Sequence, residues 1–339
     1  MPIRWGIVTA AKICHDFVNA FNSYPGDKGD AVIAAVAARD KSKATEFAKL
    51  HNIPKVFGSY KEMAESKDID VAYVGSLIPY HYELAKLFLE NGKHVLCEKP
   101  FCLNSKQVVS LVNLARKKNL FLMEAIWSRF APSYIALEKE IQAGKLGELQ
   151  FVEVNFGVPV SEIARLSKKE LGGSAILDLG VYALQFAQYI FKDEPLKCTA
   201  IGKLNSDGVD EVDNVILEYS GDRRAVLNIH AKAQLWNKAT VYGTAGRATV
   251  EDPFHFPDTL IHVDGKVEKF PLHTSNIHYN FDNSAGLVYE ALEVVRCIKQ
   301  GLIESPRMPH KDSITIAKLE DSVRQQVGVV YTVDSQEFP

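Results

Sequence analysis

The run HVLCEKP ends in Glu98, Lys99 and Pro100, and the segment GGSAILDLGVY places Asp178 and Tyr182 four residues apart. Pro100 closes an apolar strand pattern, so Glu98 and Lys99 fall at a carboxyl end, where open α/β sheets take their ligands. The helical spacing of Asp178 and Tyr182 gives them one face. Residues of these types suit oxidation of a secondary alcohol or hemiacetal, in which a proton must leave the hydroxyl as hydride departs from carbon. Tyrosine accepts that proton only when its pKa drops well below about 10. A lysine cation nearby favours the phenolate. Taken singly, a tyrosine on an amphipathic helix is ordinarily core and a strand-end lysine ordinarily solvated.

Hydride chemistry needs an acceptor, and the first residues offer a place for one. WGIVTAAKIC, residues 5–14, has the strand-turn-helix order of the dinucleotide fingerprint G-x-G-x-x-G, but its glycine positions hold Thr9, Ala11 and Cys14. All three are small. The anion-binding element is the set of free N–H groups at the helix start, and the run from Thr9 through Ala11, Lys12 and Ile13 can still present them. One strand later, VAARDKSKA places Arg39 where a guanidinium meets the 2′-phosphate of NADP. The adjacent Asp40 could instead hold a ribose hydroxyl, and Arg39 could be a solvated loop residue; the reading favours NADP over NAD.

These residues need sheets to carry them. Up to residue 125 the short apolar runs IRWGIVT, AVIAAVAA, KVFG, VAYVGS, HVLCEKP and LFLMEAI alternate with amphipathic stretches such as SKATEFAKLHN. That is the pattern of β-α-β units feeding a parallel sheet, so residues 1–125 are expected to form a Rossmann domain. Over residues 126–339 the rhythm changes. Helices in PSYIALEKEIQAG and AILDLGVYALQFAQYIF flank the strand LQFVEVNFG, and strands then follow from KCTAIGKL to KVEKFPL, separated by turns such as SGDR and GTAG. Two more helices, in AGLVYEALEVVRCIKQG and KDSITIAKLEDSVRQQVG, close the chain. The fold class expected is therefore α/β followed by α+β, the second part an open, mostly antiparallel sheet flanked by helices.

Composition narrows the partner. A chain of 339 residues, 47% hydrophobic and 24% charged, is globular and too long for one core. A net charge of −3 with dispersed lysines and arginines gives no footprint for nucleic acid or an anionic membrane. No apolar run reaches the roughly 18 residues of a membrane span. A small-molecule substrate in the cytoplasm is expected. The five cysteines form no C-x-x-C pair and the histidines show no ligand spacing, so neither a disulfide framework nor a metal is predicted. Motifs for serine hydrolases, zinc proteases and P-loop enzymes are absent from the sequence.

The segments RWGIV, AARD, AYVG, VLCEKP, LFLMEAIW, LDLG followed by one residue and Tyr, NFDN and ESP run from residue 4 to 306. With them the chain resembles the glucose-fructose oxidoreductase, inositol dehydrogenase and MocA (Gfo/Idh/MocA) family. The resemblance implies Tyr182 as general base, Lys99 lowering its pKa and binding the reacting oxygen, and Asp178 holding a substrate hydroxyl or orienting the lysine. It implies cofactor contacts from Ser76, His81, Glu98, Lys99 and Arg129, and a substrate pocket walled by Trp127, Phe156, His255 and Phe281. The implied reaction moves hydride from a trans-dihydrodiol, or from C1 of a pyranose of the D-xylose type, to NADP; the implied assembly is a homodimer through the second-domain sheet. Two departures stand out. Leu77 and Ile78 replace a Pro-Asn pair that precedes His81 in many relatives, and His255 stands where tryptophan is expected. Two alternatives remain: action on another sugar or polyol, and a dinucleotide-binding regulator without catalysis, against which the presence of Lys99, Asp178 and Tyr182 argues.

Overall fold

In the first third of the chain the alternation of apolar runs and helices becomes six strands. The computed structural model, which describes residues 2–273 and 277–339, has β1 (Ile3–Val8), β2 (Ala31–Ala37), β3 (Lys55–Phe57), β4 (Val71–Val74), β5 (His94–Glu98) and β6 (Leu122–Ala125). Between them lie α1 (Lys12–Ser23), α2 (Lys41–His51), α3 (Tyr60–Glu65), α4 (His81–Glu90) and α5 (Ser105–Lys118). All six strands pair in parallel, in the order β3-β2-β1-β4-β5-β6. Every residue of β4 is buried, as expected of a parallel strand covered on both faces. The order reverses between β1 and β4, so the turn after β1 and the loop after β4 border the crevice in which such sheets bind ligands. Asp40 sets the start of α2 by accepting the Ser42 N–H at 2.9 Å. Asn52 and Asn119, both left-handed, end α2 and α5.

The rest of the chain contributes α6 (Pro132–Gln142), β7 (Leu149–Gly157), α7 (Ala164–Ser167), α8 (Val181–Phe191), β8 (Lys197–Leu204), β9 (Asp210–Glu218), β10 (Arg224–His230), β11 (Lys238–Gly243), β12 (Gly246–Val250), β13 (Thr259–Ile261), β14 (Val267–Lys269), α9 (Leu287–Lys299) and α10 (His310–Val327). The eight strands form one sheet in the order β14-β13-β12-β11-β7-β10-β9-β8, antiparallel except where β7 meets β10. Every residue of α8 is buried because the helix lies between this sheet and α10, which explains why its sequence is apolar all round. The two sheets are not independent: α9 packs on α1, and α10 reaches α5 as well as α8 and β8.

One helix differs from its expected form. AILDLGVYALQFAQYIF begins with a π-helical turn, Ile176–Gly180, before α8 proper. Gly180 lies against the Ile176 side chain, which a Cβ there would meet. Such widened turns are frequent at functional sites, and this one carries Asp178. Among the described residues no helix is long and apolar enough to cross a membrane.

Candidate active site

The turn after β1 takes the glycine-type conformation without glycine. Thr9 has φ 89°, a conformation that costs a β-branched residue energy. Its N–H donates to Ala37 O and its Oγ1 to Gly75 O, both at 2.9 Å, which hold it there. Ala11 caps α1 with no side-chain acceptor, so no side chain claims the N–H groups of Lys12 and Ile13 at the helix start. Cys14 fills the third glycine position. Gly75 makes space for it, because a Cβ there would lie 2.5 Å from the Cys14 Sγ. Burial pushes that thiol up to about 12, so it is packing rather than a nucleophile.

At the end of β2 the two candidate ribose contacts separate. Asp40 Oδ1 accepts the Ser42 N–H at 2.9 Å and its hydroxyl at 2.6 Å. Arg39 is exposed, its guanidinium lying 5.1 Å from the centre of the Tyr80 ring. That leaves a cation and an aromatic face at the crevice edge, a combination suited to a phosphate beside a planar base.

Lys99 and Asp178 bond each other beside the Tyr182 ring. The Lys99 Nζ donates to the Asp178 carbonyl at 2.9 Å and to its Oδ1 at 3.2 Å, and lies 4.8 Å from the centre of the Tyr182 ring. An ammonium has three N–H donors, so one remains for a reacting oxygen. Arg165 also donates to Asp178 Oδ1, at 2.9 Å. Burial alone would raise the Asp178 carboxyl, but Lys99 and Arg165 overcome it and hold the group at about 2.

The Tyr182 hydroxyl accepts a hydrogen bond from Trp127 Nε1 at 2.8 Å. Burial first, then the nearby Glu98, push the phenol well above its ordinary value, against the Trp127 bond. Lys99 sits over the ring and bonds Asp178.

The neighbours of this cluster serve it in different ways. Glu98 Oε1 accepts the Tyr73 hydroxyl at 2.5 Å, and burial raises its carboxyl. His81 is buried, with Nδ1 2.9 Å from Pro100 O and Nε2 3.0 Å from Ser76 O. Its nitrogens therefore face the Lys99 turn and the loop after β4, and a neutral ring donates to one of the two carbonyls. Trp127, Phe156 and His255 surround Tyr182: His255 stacks on Phe156 at 5.1 Å, 5.4 Å from the Tyr182 ring, and Phe156 meets Tyr182 edge-on at 5.8 Å.

Two expected residues lie elsewhere. Arg129 is buried, its Nη1 donating to Asp312 at 2.5 Å and to Arg307 O at 3.1 Å while Nη2 has no partner among the described residues, so its shown contact is an internal ion pair. Phe281 is 42% exposed, its N–H bonded to Asp16 on α1, and it makes no ring contact with the Tyr182 wall among the described residues. Sequence reasoning passed over Arg165, Tyr73 and Tyr80, whose roles arise from distant segments meeting and leave no local spacing to detect. It also passed over Glu290 on α9, buried with both carboxylate oxygens unpartnered and raised by burial and by Glu98. Among the described residues no three His, Cys, Asp or Glu side chains are grouped to hold a metal.

Residues 3–126 match the GFO/IDH/MocA oxidoreductase family, NAD-binding Rossmann fold, and residues 134–249 match a GFO/IDH/MocA C-terminal domain. The trans-1,2-dihydrobenzene-1,2-diol dehydrogenase of Xenopus tropicalis is 44% identical over 98% of this chain and 100% of its own length. A 3-ketoreductase from Actinomadura kijaniata, solved with NADP, is 25% identical with a TM-score of 0.77, covering 96% of this chain and 98% of that one. A levoglucosan dehydrogenase is similar in fold, with a TM-score of 0.84 at 17% identity over 97% of this chain and 98% of its own.

Proposed function

This chain belongs to the Gfo/Idh/MocA family of oxidoreductases, and on that premise we propose that it transfers hydride from a trans-dihydrodiol, or from C1 of a pyranose of the D-xylose type, to NADP. The observation that carries the reading is the Lys99–Asp178–Tyr182 cluster, with one lysine N–H to spare and Trp127 on the phenol oxygen. The glycine-like Thr9, the uncapped start of α1 and Arg39 over Tyr80 fit a dinucleotide with a 2′-phosphate. NADP, when bound, supplies the hydride acceptor. The 3-ketoreductase solved with NADP and the dihydrodiol dehydrogenases support the choice of cofactor and of a CH–OH substrate.

Within this reading the free Lys99 N–H holds the reacting oxygen and Tyr182 exchanges the proton at that atom. Because burial and Glu98 keep the phenol protonated, Tyr182 is ready to donate in the reducing direction. In the oxidising direction the phenol first gives up its proton to solvent and, as phenolate, takes the proton of the substrate hydroxyl; the Lys99 cation favours that phenolate. Asp178 stays ionised and anchors Lys99, while Trp127 and Phe156 shape an apolar wall for the ring of the substrate.

We assign residues 1–125 to NADP binding and residues 126–339 to substrate binding and to assembly as a cytoplasmic homodimer. The face of the eight-stranded sheet away from the helices supports the last assignment. Its cross-strand row of Ile201, Asn214, Asn228, Asn155 and Lys238 is open to solvent in part, with Ile201 and Asn214 exposed.

Initial rates of NADPH formation test the proposal, with D-xylose and a trans-dihydrodiol of benzene offered separately and NAD in parallel. Turnover with NADP on either substrate is expected. Absence of turnover on both, with NADP still quenching tryptophan fluorescence, would overturn the substrate assignment and favour a regulatory role.

A further inference from the structure

The tripeptide Phe254-His255-Phe256 sends its three rings to three places. Phe254 is fully buried and meets Phe156 edge-on at 5.0 Å, while Phe256 stacks on Trp127 at 4.5 Å. Gly286 leaves space for Phe256, since a Cβ there would lie 2.1 Å from its ring. Between these anchors, and with its carbonyl accepting the Ser128 hydroxyl, His255 has little freedom. Its imidazole is held against Phe156, with the Trp127 ring 6.1 Å away and the Tyr182 ring 5.4 Å away.

Trp127 is paired with Tyr182, and Lys99 and Arg165 with Asp178. His255 differs from these. Its Nδ1 is buried with no hydrogen-bond partner, a costly arrangement unless a ligand supplies one. Burial, then the Lys99 cation, hold the ring at about 4 against Asp178, so near neutral pH it is uncharged. A neutral imidazole offers one donor and one acceptor, the complement of a hydroxyl.

Lys99, bonded to Asp178, lies 4.8 Å from the Tyr182 ring centre, and His255, against Phe156, lies 5.4 Å from the same ring. We propose that His255 determines specificity by hydrogen-bonding a ring hydroxyl beyond the reacting pair, so that the site selects a pyranose or cyclic polyol over a diol whose remaining ring is hydrocarbon. This rests on the dehydrogenase reading above and deepens it. A site built to pair with a hydroxyl discriminates against the analogue lacking it, because the buried nitrogen is then left alone.

The test compares wild type, His255→Phe and His255→Gln, each with NADP, on D-xylose and trans-cyclohexane-1,2-diol. kcat and KM are measured separately, and each compound is titrated into the protein–NADP complex with tryptophan fluorescence as a second readout. His255→Phe should lose about ten-fold or more in kcat/KM and affinity for D-xylose but change by less than about three-fold with the diol. His255→Gln, which keeps a donor and an acceptor, should restore most of the loss. An unchanged ratio of sugar to diol in His255→Phe, with the diol still oxidised, overturns this inference and leaves the dehydrogenase reading intact. A wild type that oxidises neither compound overturns this inference, and the dehydrogenase reading then falls only if the trans-dihydrodiol of benzene is not oxidised either.

Discussion

The turn after β1 and the Lys99 cluster border the same edge of the six-stranded sheet, yet one works through backbone and the other through side chains. At the turn all three expected glycines are replaced, and the conformation survives because Thr9 is pinned by Ala37 and Gly75 while Gly75 yields space to Cys14. What such a turn offers a phosphate is N–H groups, which most residue types carry. At the cluster the working parts are an ammonium, a carboxylate and a phenol, each fixed by the others within hydrogen-bond or ring-contact distance. A backbone device tolerates exchange of residues wherever the dihedral angles can be kept. A side-chain device does not.

The largest consequence falls on Tyr182. Tyr182→Phe removes the proton-exchanging oxygen and the acceptor for Trp127 while leaving the turn and Arg39 untouched. kcat should fall by about 10²- to 10⁴-fold, with the NADP dissociation constant, followed by fluorescence quenching, nearly unchanged. Substantial residual turnover would mean that the cluster is not the side-chain device described. Arg39→Ala comes next. It deletes a side-chain contact at the otherwise backbone-built end, so NADP should bind about ten-fold or more weakly and NAD about as before. Equal losses for the two cofactors would show that Arg39 supports the loop and not a 2′-phosphate.

The contrast also explains what could be read in the sequence. Both sheets and nearly all their helices follow from apolar period and turn residues: LQFVEVNFG and KCTAIGKL appear as β7 and β8 with the same ends. Asp178 and Tyr182 were legible because their relation is local, one helical turn, although the widening of that turn at Ile176–Gly180 was not. Arg165 on Asp178 and Tyr73 on Glu98 come from segments with no sequence relation to their partners, so only the packed chain reveals them. Arg129 misled for the same reason: whether its guanidinium faces the crevice or Asp312 is decided by where the residues around 307–312 pack. Asp40 caps α2, a local role its position before KSKATEFAKLH also makes legible.

Thr9 gives the smallest expected effect and the sharpest test of the backbone account. Thr9→Gly relieves the positive φ, whose cost is about 1–3 kcal/mol. It also removes the hydroxyl bond to Gly75, about 1 kcal/mol, and adds flexibility to the unfolded chain, about 0.5–1 kcal/mol. These terms oppose one another, so the urea midpoint should shift little and NADP affinity should stay within about three-fold. Thr9→Val separates them, because it keeps the β-branch at φ 89° and deletes only the hydroxyl that offsets the strain. It should destabilise by about 1 kcal/mol or more. If Thr9→Gly instead abolished NADP binding, the threonine side chain itself would be making the contact, and the turn would belong with the Lys99 cluster as a device built from side chains.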